Sequence, residues 1–305
     1  MINDYVIKLI ENLPDDIKTV KEPLRMDVVL DGGVFNGSYL VGALYFLKEM
    51  ENRKYIKIER ISGCSIGAIA GFLYHIDALD AITNLYDLLN TDFRNTYKLQ
   101  LVKEFKKHVQ DKIPADILAR VNNKLFISYN NIKKGTKHVK SNYRDVDDLM
   151  QTIIKSSYIP FLVDGKILYE NKYIDGITPY IFSKEPNKKI LYLDLYGYDK
   201  IGHLLNVKNE KSNFHRILSG LLDIHSFYIK QTSTPMCSYV NDWNITNNGL
   251  HQCKYLIEKL CIYLTYLLLF VKNKIPETFQ NTVLYKILSK IVQDIFIIIL
   301  ENYCL

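Results

Sequence analysis

Gly63-Cys64-Ser65-Ile66-Gly67 is the stretch on which the reading of this chain turns. It spells G-x-S-x-G. Residues 55–61 before it alternate apolar and polar like a strand, and residues 68–73 after it are small and apolar, like the first turns of a buried helix. Strand, tight turn and helix together are the setting of a nucleophile elbow. The two glycines let backbone segments approach closely in a strained turn. That turn lifts the serine hydroxyl to the top of a sheet, beside the N–H groups that open the helix. Small residues also gather in ordinary buried turns, so the pentad alone leaves both readings open.

A similar arrangement lies upstream. Residues 26–30 are apolar and β-branched, which predicts a central strand, and residues 38–50 carry apolar side chains at helical spacing. Between them runs Asp31-Gly32-Gly33-Val34-Phe35-Asn36-Gly37. Such a turn aims backbone N–H groups at an anion, either a phosphate or a developing oxyanion. Downstream, residues 125–129 and 189–195 read as strands. Asp175-Gly176 closes a short strand-like piece, where a carboxylate can face a site, although Asp-Gly is also a common turn. Residues 76–120 read as irregular helices suited to an inserted cap. The acids Asp145, Asp147 and Asp148 read as the N-cap and first turn of a helix over 149–155 rather than as metal ligands. Residues 2–20 predict a cover helix. From about residue 203 the pattern is helical, and its apolar run 261–271 is too short to span a membrane. Burial of these C-terminal helices is the favoured expectation, with monotopic membrane contact the alternative.

Composition sets wide limits. The 305 residues are 48% apolar and 24% charged, enough for a large core. The net charge of +6 is spread along the chain, with no basic stripe interleaved with aromatics, which argues against a nucleic-acid partner. Five cysteines without a C-x-x-C pair argue against a disulfide framework or a zinc site. No signal-peptide pattern opens the chain, so an intracellular, cytoplasmic and optionally membrane-associated protein is expected.

Taken in chain order, residues 31–37, 63–67 and 175–176 resemble the patatin-like phospholipase family, whose pattern is D-G-G-G-x-[RK]-G, then G-x-S-x-G, then D-G-[GA]. Ser156-Ser157-Tyr158-Ile159-Pro160 is similar to that family's A-S-x-A-x-P stretch, and Thr178-Pro179 falls where it often has Asn-Pro. The resemblance covers residues 24–200 and departs at Val34, Asn36 and Ile177. It implies a three-layer α/β fold with a mainly parallel sheet over 24–200, between an N-terminal helix (1–23) and a helical C-terminal region (201–305). It also implies a Ser–Asp dyad with Ser65 as nucleophile and Asp175 as base. Gly32, Gly33 and Val34 would form the oxyanion hole, and Gly37, Gly63, Gly67 and Gly176 would be the motif glycines. No cofactor or metal enters this chemistry. The function implied is a lipid acyl hydrolase acting on phospholipids or other lipid esters, with peripheral membrane contact. The alternatives are a non-catalytic lipid-binding or interaction protein on the same fold, or a lipid acyltransferase. A carboxylate base suits the chain, because serine needs a base within hydrogen-bond reach and none of the seven histidines sits in a comparable strand-end or turn context.

Overall fold

In the computed structural model, residues 2–304 are described, apart from Val20, Tyr198, Asn209 and Lys211. Met1 and Leu305, the outer ends of the two flanking segments, lie outside the described residues. The chain opens with α1 (Ile2–Glu11) and α2 (Asp15–Lys18), so the single cover helix predicted over 2–20 is broken in two. Pro14 stands at the break as the N-cap of α2. Val6 and Ile10 of α1 are buried, as a cover helix requires.

Next come β1 (Leu24–Leu30), α3 (Gly37–Asn52), β2 (Ile56–Gly63) and α4 (Ile66–His75). The cap region holds α5 (Asp80–Thr96), α6 (Leu101–Val109) and α7 (Ile117–Val121). β3 (Leu125–Asn131) and β4 (Thr136–Lys140) pair antiparallel as a hairpin. α8 (Val146–Ser156) follows, and the Asp145 side chain accepts the N–H of Asp148 as its N-cap. β5 (Tyr173–Asp175), β6 (Lys189–Leu193), α9 (Phe214–Lys230) and β7 (Cys237–Tyr239) come next, then α10 (Ile245–Lys274), α11 (Glu277–Gln280) and α12 (Val283–Tyr303).

The sheet order is β4-β3-β2-β1-β6-β7, with β5 also on β3. The four inner strands run parallel, while β4, β5 and β7 add antiparallel edges. This is the α/β fold with a mainly parallel central sheet that the motifs imply. β7 arises inside the segment read as helical. At three residues it is too short to show an alternating pattern, and only its pairing with β6 defines it.

Alternation along β1 divides the core. Met26, Val28 and Leu30 face the large cluster under the helices, whereas Val29 faces a smaller one with Phe182, Ile190 and Tyr192. The first turns of α10 cover this second face, where His251 meets Tyr192 edge-on and Trp243 at a tilt. Beyond that contact, α10 and α12 depart from expectation. Glu258 and Thr265 are the buried residues of α10, and large apolar side chains along both helices stand exposed. Apolar content alone cannot distinguish a helix packed in a core from one whose apolar faces no other element covers.

Candidate active site

Pairing of parallel strands brings the motifs together. Leu30 pairs with Gly63 on one side and Leu193 on the other, so the 31–37 turn and the elbow leave the sheet at the same edge. Asp175 reaches that edge from β5, opposite Tyr129 of β3. Loops beyond the carboxyl ends of parallel strands are where such sheets build sites.

Ser65 caps the N-terminus of α4 in the two-residue link from β2, with φ 52° and ψ −129°. That conformation costs a non-glycine residue about 1–3 kcal/mol. The surroundings enforce it. A Cβ on Gly63 would lie 2.5 Å from the carbonyl oxygen of Gly67, and one on Gly67 would lie 2.5 Å from that of Leu30. Only glycine lets β1, β2 and α4 converge this closely. The Ser65 N–H donates to the carbonyl (3.1 Å) and the hydroxyl (3.0 Å) of Ser156, and the Ser157 hydroxyl donates to the Ser65 carbonyl (3.1 Å). The same segment grips the aspartate loop, since the N–H of Asp175 donates to Tyr158 (2.9 Å) and that of Gly176 to Ser156 (3.2 Å). The family-like 156–160 stretch is thus a splint between Ser65 and Asp175. Its sequence match locates it without revealing that role.

Ser65 and Asp175 are each 6% exposed, and the Ser65 hydroxyl is near enough to the Asp175 carboxylate to favour its ionised form. Burial pushes the Asp175 carboxyl up to about 7, against the opposing pull of the Ser65 hydroxyl and of the Ile177 N–H, which donates to Oδ1 at 2.7 Å. A carboxylate near neutrality is matched to proton abstraction. His75 lies at the far end of α4, about 15 Å of helix from Ser65, and burial lowers its pKa to about 4. Cys64, beside Ser65, is buried, donates to the Ile177 carbonyl (3.3 Å), and has its thiol pushed well up by burial. A thiol kept neutral is a poor nucleophile.

In the upstream turn, Gly33 has φ 156° and Val34 φ 45°. Val34 therefore adopts the positive φ that a β-branched residue resists. The Gly32 N–H is committed to Asp31 Oδ1 at 3.0 Å, and the Phe35 N–H to the Leu204 carbonyl at 3.2 Å. Among the described residues, no protein group accepts the N–H of Gly33 or Val34. Asn36, where a basic residue is usual, donates to the carbonyls of Leu195 (3.1 Å) and Lys200 (2.9 Å), and its Oδ1 accepts from Arg216 Nη1 (2.8 Å). Arg216 is fully buried and paired with Glu210, so a cation from α9 stands behind the turn. Gly37 opens α3, and Gly176 follows β5.

Ser65 lines an apolar cavity with about 520 Å³ of empty space, part of it open to solvent. Phe35, Ile66 and Ile69 line one part, and Leu85, Leu89 and Leu101 of the cap helices line another. Its apolar lining suits an acyl chain.

Two charged residues of α10 brace the site, and sequence reasoning missed both. Lys254 Nζ reaches Asp31 Oδ2 at 2.9 Å and Asp194 Oδ1 at 2.8 Å, and Tyr192 donates to the same Asp31 oxygen. Burial raises Asp31 to about 6 despite the attraction of Lys254. Glu258 is fully buried and accepts from Lys137 (2.9 Å), Thr178 and Asn130 (2.9 Å). The Asn130 amide also donates to the Asp175 carbonyl at 2.9 Å. Lys254 and Glu258 are an i, i+4 pair on a largely apolar helix, which was the available signal.

The comparisons bear on the same stretch. A family model described as patatin-like phospholipase matches residues 28–178, from β1 to just past the aspartate loop. Those residues form a patatin-like phospholipase domain. Among solved structures, VipD from Legionella pneumophila is similar at 14% identity and a TM-score of 0.32, over 56% of this chain and 49% of its own. The match thus spans about half the length of VipD. No curated protein matches the sequence. The patatin-like domain ends before β6 and β7, which complete its sheet, and before α10, which supplies Lys254 and Glu258. Among the described residues no helix is long and apolar enough to cross a membrane.

Proposed function

We propose that the protein is a lipid acyl hydrolase of the phospholipase or lysophospholipase type, with Ser65 as nucleophile and Asp175 as base. One observation carries the reading: the Ser65 hydroxyl, held in a strained elbow beside an apolar cavity, stands by a buried carboxyl that burial raises to about 7. Ser65 Oγ attacks the ester carbonyl carbon while Asp175 takes the hydroxyl proton. The Gly33 and Val34 N–H groups receive the oxyanion. As the ester C–O bond breaks, the proton passes to the departing alcohol. Asp175 then deprotonates a water that attacks the acyl-enzyme, releasing the fatty acid and restoring Ser65. The catalytic unit in this reading runs from β1 through β7, with α10 as its brace.

The test compares wild type with Ser65→Ala and Asp175→Asn for fatty-acid release and for labelling by a serine-directed fluorophosphonate. Wild type releases fatty acid and labels at Ser65. Each variant loses turnover by about 10³-fold or more. Equal activity in all three proteins would sink the dyad.

A further inference from the structure

Most of the large apolar side chains exposed on this protein lie on α10 and α12. α10 has 30 residues and α12 has 21, about 45 Å and 31 Å of helix. Exposure is not confined to one stripe. Tyr266, Leu267 and Leu268 are consecutive and all exposed, which covers about 200° of helix surface. A second copy packing as a coiled coil needs a narrow seam with polar flanks, so this breadth disfavours it.

Charge separates the remaining occupants. Lys259, Lys272, Lys274, Lys286 and Lys290 are exposed on the two helices, against exposed Asp294 and Glu301 among the described side chains. Glu301 is moreover engaged by the Tyr97 hydroxyl. Tyrosines 255, 263, 266 and 303 stand exposed among the aliphatic residues. An apolar surface with a lysine excess and scattered tyrosines matches the acyl–headgroup boundary of an anionic bilayer. No described helix is long and apolar enough to cross it.

Placement supplies the last element. α10 is tied by Lys254 to Asp31, beside the oxyanion turn, and by Glu258 to Thr178, beside the Asp175 loop. α12 returns to the body at its far end, where the Val207 N–H donates to the Cys304 carbonyl (2.8 Å) and Tyr97 holds Glu301 just beyond the cavity-lining α5. Both helices are thus rooted in segments that flank the Ser65 cavity.

We propose that α10 and α12 form a docking arm that lies in the interface of an anionic lipid bilayer and sets the Ser65 cavity against it. What the docked protein then does rests on the acyl-hydrolase reading, but docking is measured separately. The experiment sediments the full chain with phosphatidylcholine vesicles with and without phosphatidylserine, and follows hydrolysis of both vesicle phospholipid and a soluble short-chain ester. Wild type binds the anionic vesicles more tightly. Leu267→Glu/Phe270→Glu weakens that binding by about 10-fold or more and lowers vesicle-lipid turnover in step, while soluble-ester turnover stays at the wild-type rate. Lys272→Glu/Lys274→Glu removes the preference for phosphatidylserine. Unchanged vesicle binding by the apolar variant would overturn the proposal. So would a wild-type dimer that the same variant splits without loss of vesicle binding, which would assign the surface to a second copy. Wild type that binds vesicles yet hydrolyses neither substrate would retain the arm and reject the hydrolase.

Discussion

Asp175 is where the chemistry of the site and the stability of the fold pull in opposite directions. Its carboxyl is pushed up to about 7, chiefly by burial, and the charge of Glu258 adds to that rise. In the proposed role of base it works only when ionised, so kcat/KM for ester hydrolysis should climb with pH through an apparent pKa near 7. Glu258→Gln removes a like charge and should move that midpoint to lower pH. A midpoint unchanged or moved upward would show that the Glu258 charge does not act on Asp175. The stability consequence has the opposite sign. The folded pKa lies above the unfolded value of about 4, so the folded state holds a proton that the unfolded chain has released. The associated stability is fully present below about pH 4 and is lost as pH rises towards 7. Asp175→Asn therefore raises Tm over wild type at pH 8 and raises it less at pH 5. An equal change at both pH values would contradict the raised pKa.

Between elements, the candidate site depends on contacts that no single motif contains. The Ser156 hydroxyl accepts the Ser65 N–H and donates to the Ser128 carbonyl at 2.6 Å, joining α8 to the elbow and to β3. Ser156→Ala should cost about 1–2 kcal/mol in a denaturant melt. If Ser65 is the nucleophile as proposed, the same variant should also lower kcat on a soluble ester by about 10-fold with KM little changed, because Ser65 is misplaced while the cavity is not. A variant with wild-type kcat would show that the splint is dispensable. Lys254 plays the corresponding part for the upstream turn. Lys254→Met leaves Asp31 buried opposite Tyr192 without its cation, and a broken buried pair costs about 3 kcal/mol. The loss should be larger at pH 8 than at pH 5, because removing Lys254 raises the Asp31 pKa further and at low pH the carboxyl takes a proton instead. A pH-independent loss would point to the lysine stem rather than its charge.

Across the whole molecule, a braced body contrasts with an exposed arm. β1, β2 and β6 pair at the centre of the sheet and carry fully buried residues, whereas residues 266–299 leave their apolar side chains largely uncovered. Hydrogen exchange in the free protein should thus be slowest in β1 and β2 and much faster across α12 and the outer half of α10. Protection of the outer segments equal to that of the strands would show that they are packed in solution.

The sequence by itself determined the parallel sheet, the elbow and the pairing of Ser65 with Asp175 as candidates. Strand periodicity, glycine at close approaches and motif order are all written locally. It placed the cap over 76–120, which lines the cavity, and the Asp145 cap of α8. It did not reveal β7, whose three residues are too few to show a period. Nor did it show that the Gly32 N–H is spent on Asp31, that Asn36 is met by Arg216, or that Lys254 and Glu258 of α10 brace the loops of Asp31 and Asp175. These residues lie far apart in the chain, and only folding brings them within hydrogen-bond distance. The C-terminal helices mark the same boundary. Their apolar run predicted burial, but burial is a relation between surfaces, and the tertiary structure leaves these surfaces open beside the cavity of Ser65.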